Sequence, residues 1–165
     1  MLKPADLQRN PHALSQTLSL KNGARVLWRL LLAEEGERLV HYFENLSEAT
    51  RRVYGPHPFT AEQARLFCAE IDYGHTLRFV ALDPQFHCTL APSVADAYQA
   101  RGLGSALLPV LINTARRLGR THIALWGGVR ADNPRAEHFY RKFGFVELGQ
   151  FEAGGSNNYD MLLAL

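Results

Sequence analysis

Between Val94 and Ser105 the chain reads Val-Ala-Asp-Ala-Tyr-Gln-Ala-Arg-Gly-Leu-Gly-Ser, and Gly102 and Gly104 fall where a predicted strand passes into a predicted helix. Glycine at such a junction lets main-chain N–H groups crowd together and approach a bound molecule, and the start of the helix adds a partial positive charge. The ligand suited to that backbone is an anion, a phosphate above all; the competing reading is a plain turn in which glycine only permits the bend. Two nucleotide folds are disfavoured. A P-loop needs a Gly-Lys-Ser/Thr string that the chain lacks, and a dinucleotide fingerprint needs a third glycine and an acid ending the next strand, where Leu125-Trp-Gly-Gly-Val129 stands instead. Charge points the same way as the glycines. From Gln99 to Lys142 eight basic residues face two acids, Asp132 and Glu137, whereas the first 98 residues carry ten basic and eleven acidic side chains. The positive field is therefore concentrated around the glycine loop, where a polyphosphate would be attracted.

Alternating strand and helix signals surround this segment. Residues 1–16, polar with two prolines, are expected to form an N-terminal arm, and 17–165 a single domain. Asn22-Gly23 separates two short strands and suits a tight hairpin. Leu39, Phe43 and Leu46 fall at helical spacing; a second helix opens on Thr60-Ala-Glu-Gln63, a capping-box pattern, and is expected to run to Gly74. Between them lies Val53–Phe59, either a surface connector or a pocket wall. Strands are predicted at 78–82, 86–94 and 121–129. The helix over 102–118 carries Leu103, Leu107, Leu111, Ala115 and Leu118 on one face, with Pro109 as an interruption. A last helix starts at Asn133-Pro134 and stops at Gly144, and two strands close the chain.

Composition bounds the rest. The chain has 165 residues, 47% apolar and 21% charged, with 18 Lys plus Arg against 16 Asp plus Glu. That supports one core, and the near-balance of charge argues against a polycationic nucleic-acid binder and against disorder. Cys68 and Cys88 form no CxxC or Cys/His cluster, so neither a disulfide scaffold nor a metal site is expected, and a reducing cytoplasmic setting fits. No stretch reaches membrane-spanning length. The composition leaves room for a homodimer.

Gln99-Ala-Arg-Gly102-Leu-Gly104 resembles the Q/R-x-x-G-x-G/A signature of the GNAT superfamily of acetyl-CoA-dependent N-acetyltransferases. Downstream, Asn133-Pro-Arg-Ala136-Glu-His-Phe139-Tyr140-Arg-Lys-Phe-Gly144-Phe145 is similar to that family's N-x-x-A-x-x-x-Y-x-x-x-G-F motif, in the same order and spacing. The resemblance implies a mixed α/β (α+β) fold whose mostly antiparallel central sheet is flanked by helices and splays apart between two strands at the cofactor site. It implies acetyl-CoA as co-substrate, a primary amine on a small molecule or protein as acceptor, and no metal. By position, main-chain groups of Ser93 and Val94 would meet the pantetheine arm, and amides of Gln99, Ala100, Arg101, Gly102, Leu103, Gly104 and Ser105 the pyrophosphate. Asn133 would contact the cofactor arm, and Tyr140 would act as general acid for the departing thiolate. Read without the motif, Asn133 is a helix N-cap and Tyr140 a core aromatic.

The sequence departs from the family twice. Where many relatives place a strand glutamate as general base stands Cys88; the neighbouring His87 or an ordered water is left for proton removal. Pro92 has no N–H to offer a thioester oxygen, so a neighbour such as Val94 must supply it or the strand bulge is displaced. These departures motivate an alternative, a non-catalytic acyl-CoA-binding or sensor module. The acceptor is expected between the Val53–Phe59 and Ala153–Asn158 loops, with Glu34, Glu35, Asp96 and Asp160 available to attract a cationic amine.

Overall fold

The computed structural model describes residues 2–20, 23–52, 57–82, 88–90, 93–153 and 155–165, the segments 88–90, 126–128 and 153 through their backbone alone. The first hairpin forms where the Asn-Gly dipeptide predicts it. Gly23 takes φ +81°, and β1 (Gln16–Ser19) returns antiparallel as β2 (Arg25–Leu30), pairing Ser19 with Arg25 and Gln16 with Trp28; Asn22 itself lies outside the described residues. β3 (Phe79–Leu82) pairs with β2, and β4 (Cys88–Leu90) with β3, all antiparallel. A second antiparallel sheet has the order β5 (His122–Arg130), β7 (Ser156–Ala164), β6 (Val146–Ala153). The division falls between β4 and β5 in the chain, and no ladder joins these strands among the described residues.

The first sheet is covered on both faces, which explains why all four residues of β3 are buried and apolar. On one side Val80 and Leu82 meet Leu39, Val40 and Phe43 of α2 (Gly36–Glu44) and Ala64 and Cys68 of α4 (Ala61–Ala69). On the other, Phe79 and Ala81 meet Trp28, Leu30 and the N-terminal segment, with Leu103 and Leu107 of α5 (Leu103–Arg117). Trp28 and Phe79 stack with centroids 4.8 Å apart. α5 joins the two halves, because its next residue, Leu108, packs with Val129, Phe145 and Met161 of the second sheet and with α6 (Pro134–Lys142).

Three expectations change. The described part of the expected 1–16 arm, residues 2–16, does not stand off: α1 (Pro4–Arg9) and a 3-10 turn at Pro11–Leu14 bury Leu7 and Leu14 beneath Trp28 and Leu30. Two leucines spaced seven apart among polar residues suffice to dock the segment, a pattern that its overall polarity conceals. A short helix, α3 (Glu48–Arg52), follows α2. α4 begins as expected, with Thr60 Oγ1 accepting from the Gln63 amide at 3.1 Å, but ends at Ala69, since Asp72 ties down the turn at Gly74 by accepting from its amide.

Candidate functional site

The passage from β4 to α5 is held by a polar clasp. Asp96 accepts from Ser47 N and Ser47 Oγ, both at 2.8 Å, and from Thr50 Oγ1 at 2.6 Å. Hydrogen bonds from Thr50 and Ser47 hold its carboxyl below the usual range. Gln99 Nε2 donates to Thr50 Oγ1, to the Val94 carbonyl and to Asp96 Oδ1. Gln99 therefore fixes the loop onto α3, and its own amide is consumed by the Asp96 carbonyl at 3.2 Å. The clasp is absent from the sequence reading, which placed Asp96 at the acceptor and Gln99 at the pyrophosphate; contacts some 50 residues apart leave no local signal.

Beyond the clasp the backbone turns left-handed twice, at Ala100 (φ +58°) and Gly102 (φ +82°). Alternating conformations of this kind turn successive N–H groups into a concavity. The α5 ladder begins with Ala106 N donating to Gly102 O at 3.0 Å, and no side chain caps the helix. Among the described residues the amides of Leu103, Gly104 and Ser105 are thus the open donors of a 15-residue helix. The two glycines do different work. Gly102 supplies the positive φ, whereas Gly104 lets α6 close in: a Cβ there would sit 3.3 Å from Phe139 Cζ. The Leu103 side chain is buried in the core, while Ala100 and Arg101 are exposed.

A cavity of about 420 Å³ opens in the gap between the sheets. Its walls include Ser93 and Val94 after β4, Gly104 and Leu107 of α5, Ile123 to Leu125 of β5, and Phe139 and Tyr140 of α6. The Ser93 hydroxyl is buried against Tyr42 OH at 2.9 Å, which anchors the end of β4 to α2. Tyr140 packs edge-on against Phe139 and Phe145, with ring centroids 5.3 and 5.4 Å away. Burial pushes its phenol above the ordinary value, so it stays protonated at neutral pH, and no hydrogen bond occupies it among the described residues. Asn133 lies at the start of α6 and caps it, its Oδ1 accepting from Ala136 N at 3.2 Å. Tyr140, Ser93, Val94 and Gly104 thus share one cavity, and Asn133 holds the helix that carries Tyr140.

The loop read as connector or wall proves to be a wall in its described part. His57 lines the cavity beside Arg78 and Phe67, its ring against Phe43, Phe59 and Phe67. Burial pushes the imidazole pKa down, and the hydrogen bond to the Pro58 carbonyl places a proton on Nδ1. Sequence reasoning passed over His57 because a lone histidine in a Pro-rich loop shows no partners. His87, Pro92 and Val53–Pro56 lie outside the described residues, as do Gly154 and the side chains of Cys88 and Ala153. Glu35 is not an acceptor acid: it is 5% exposed and accepts two hydrogen bonds from Arg29, each 2.6 Å, and others from Leu32 N and Arg38.

These features fit coenzyme A: open helix-start amides for a pyrophosphate and a mostly apolar cleft for the arm. Residues 34–145 match the model of the acetyltransferase (GNAT) family. An acetyltransferase of Pseudomonas aeruginosa is 33% identical over 121 residues, which cover 61% of this chain and 65% of that protein, so the match spans just under two thirds of the relative's length. Among solved structures, the GNAT domain of an S. lividans protein, PAT, superposes with TM-score 0.73 at 21% identity, over 94% of this chain and 99% of that one. A ribosomal-protein-S5-alanine acetyltransferase from Vibrio fischeri gives 0.69 at 14% identity, over 90% and 96%. Motif, cleft and family match converge, and the chain belongs to the acetyltransferase (GNAT) family.

Proposed function

We propose that the chain transfers an acetyl group from acetyl-CoA to a primary amine by direct attack of the amine on the thioester. The observation that carries this reading is that a protonated, half-buried Tyr140 and the uncapped start of α5 open on one cavity. Acetyl-CoA supplies an activated acetyl carbon. Amides from Ala100 to Ser105 hold its pyrophosphate, and main-chain groups at Ser93 and Val94 its arm. Gln99 acts through its side chain as the clasp of this loop, and Asn133 through the cap of α6. In the transfer an N–C bond forms, the C–S bond breaks, the amine loses a proton to solvent or to a wall base, and Tyr140 protonates the departing sulfur. A phenol kept above its ordinary pKa stays protonated at neutral pH and can donate its hydrogen bond to the charge that develops on the departing sulfur.

No helix among the described residues is long and apolar enough to cross a membrane, and Cys68 is a free buried thiol; both suit the reducing, cytoplasmic setting we propose. The test is Tyr140→Phe. Loss of turnover with acetyl-CoA affinity retained supports the acid role; unchanged turnover removes it. Tight acetyl-CoA binding by the wild-type protein with no amine-dependent CoA release would instead identify a sensor module.

A further inference from the structure

We propose that Arg78 selects acceptors that carry a carboxylate beside the amine, so that the substrates of this site are amino acids with apolar side chains; the inference rests on the acetyl-transfer reading above. Arg78 lines the same cavity as Tyr140, immediately before β3, and its guanidinium lies over the Phe67 ring with Cζ 4.3 Å from the centroid. A guanidinium laid on an aromatic face keeps its in-plane N–H fork for a second partner, and a carboxylate matches that fork bidentately. Among the described residues no carboxylate pairs with Arg78, although Arg29, Arg38, Arg65, Arg130 and Arg141 all have acidic partners. A half-buried cation in an apolar wall with no counter-ion among the described residues is costly to maintain, and a ligand carboxylate supplies one.

The remaining wall fixes the other half of the substrate. Trp28, Phe67, Phe79, Phe139 and Phe145 make it aromatic, and among the described residues that line it no carboxylate is present to receive a second ammonium. Glu35 and Asp96 are already bound by Arg29 and by Ser47 with Thr50. A polyamine would therefore bring its second charge against Arg78 with nothing to balance it, whereas an apolar side chain is accommodated.

Transfer rates for L-phenylalanine, L-leucine and L-methionine, each beside its carboxamide, test the assignment. The acids should be favoured roughly 10- to 100-fold in kcat/KM, as expected for a hydrogen-bonded contact to a charged group. Arg78→Gln should abolish the preference, mainly through KM for the acids, while leaving the carboxamides within a few-fold; Arg78→Lys should restore part of it. A merely structural arginine would change acids and carboxamides together. Equal use of acid and carboxamide by the wild-type protein, a preference that survives Arg78→Gln, or bound acetyl-CoA with no transfer to any of the six compounds overturns the proposal. Failure to bind acetyl-CoA at all overturns the underlying reading instead.

Discussion

Replacing Glu35 by Gln should destabilise the fold strongly and leave the choice of acceptor unchanged. Glu35 and Arg29 are 5% and 6% exposed, and their two parallel 2.6 Å contacts are supported by Arg29 Nη1 donating to Leu30 O at 2.8 Å. Burial raises the Glu35 carboxyl, but the hydrogen bonds and charge of Arg29, aided by Leu32 N and Arg38, outweigh it and hold the group below its usual value. Breaking a buried pair by removing one partner costs about 3–5 kcal/mol, because the other charge is left without compensation. Glutamine keeps one acceptor but turns an amide donor toward a guanidinium donor, so a loss of about 3 kcal/mol is expected. For a domain of this size each kcal/mol lowers Tm by about 2–4 °C, giving a fall of about 6–12 °C. Urea unfolding at pH 7 measures the loss directly. The sign of the pH effect also follows: with its native pKa depressed, Glu35 contributes stability above its unfolded pKa, and that contribution disappears as pH falls through the native value. The acid limb of the stability curve should therefore be shallower in Glu35→Gln. A loss below 1 kcal/mol, or a selective rise in KM for cationic amines, would refute the structural assignment of this acid.

The catalytic variant Tyr140→Phe should lower kcat by about 10²- to 10⁴-fold, the worth of a positioned general acid, with acetyl-CoA affinity unchanged by calorimetry. At Gly102, where φ is +82°, Ala should cost about 1–2 kcal/mol of backbone strain and weaken acetyl-CoA binding, which titration of the folded variant would show. Gly104→Val should overpack Phe139 and destabilise by about 1–3 kcal/mol in chemical denaturation. His57 is held neutral by burial, so the unfolded chain takes up this proton first as pH drops below about 6.5, and stability falls with it. His57→Gln should reduce the loss of stability between pH 7.5 and 5.5; an equal loss in both proteins would count against the burial argument.

Much of the fold was legible because its signals are local. Gly23 and Gly102 need positive φ, Thr60 and Asn133 cap helices through bonds three residues away, and the Leu103 to Leu107 stripe announces a buried helix face. The same holds for the loop glycines and Tyr140, whose spacing is fixed by the elements that carry them. What escaped sequence reasoning is set by long-range packing. Leu7 and Leu14 look like isolated apolar residues until β2 supplies a surface for them. Glu35 reads as a surface acid until Arg29, near the end of β2, claims it. Asp96 and Gln99 acquire their roles only when Ser47, just before α3, and Thr50 of α3 arrive, and His57 and Arg78 meet in one wall although 21 positions separate them.

The most direct test of the central claim is amine-dependent release of the CoA thiol from acetyl-CoA, followed with the purified protein across a series of primary amines and amino acids. The account predicts release that saturates with one acceptor class, ceases when the amine is omitted and collapses in Tyr140→Phe. Stoichiometric binding of acetyl-CoA with no release above the amine-free rate for any acceptor would contradict it.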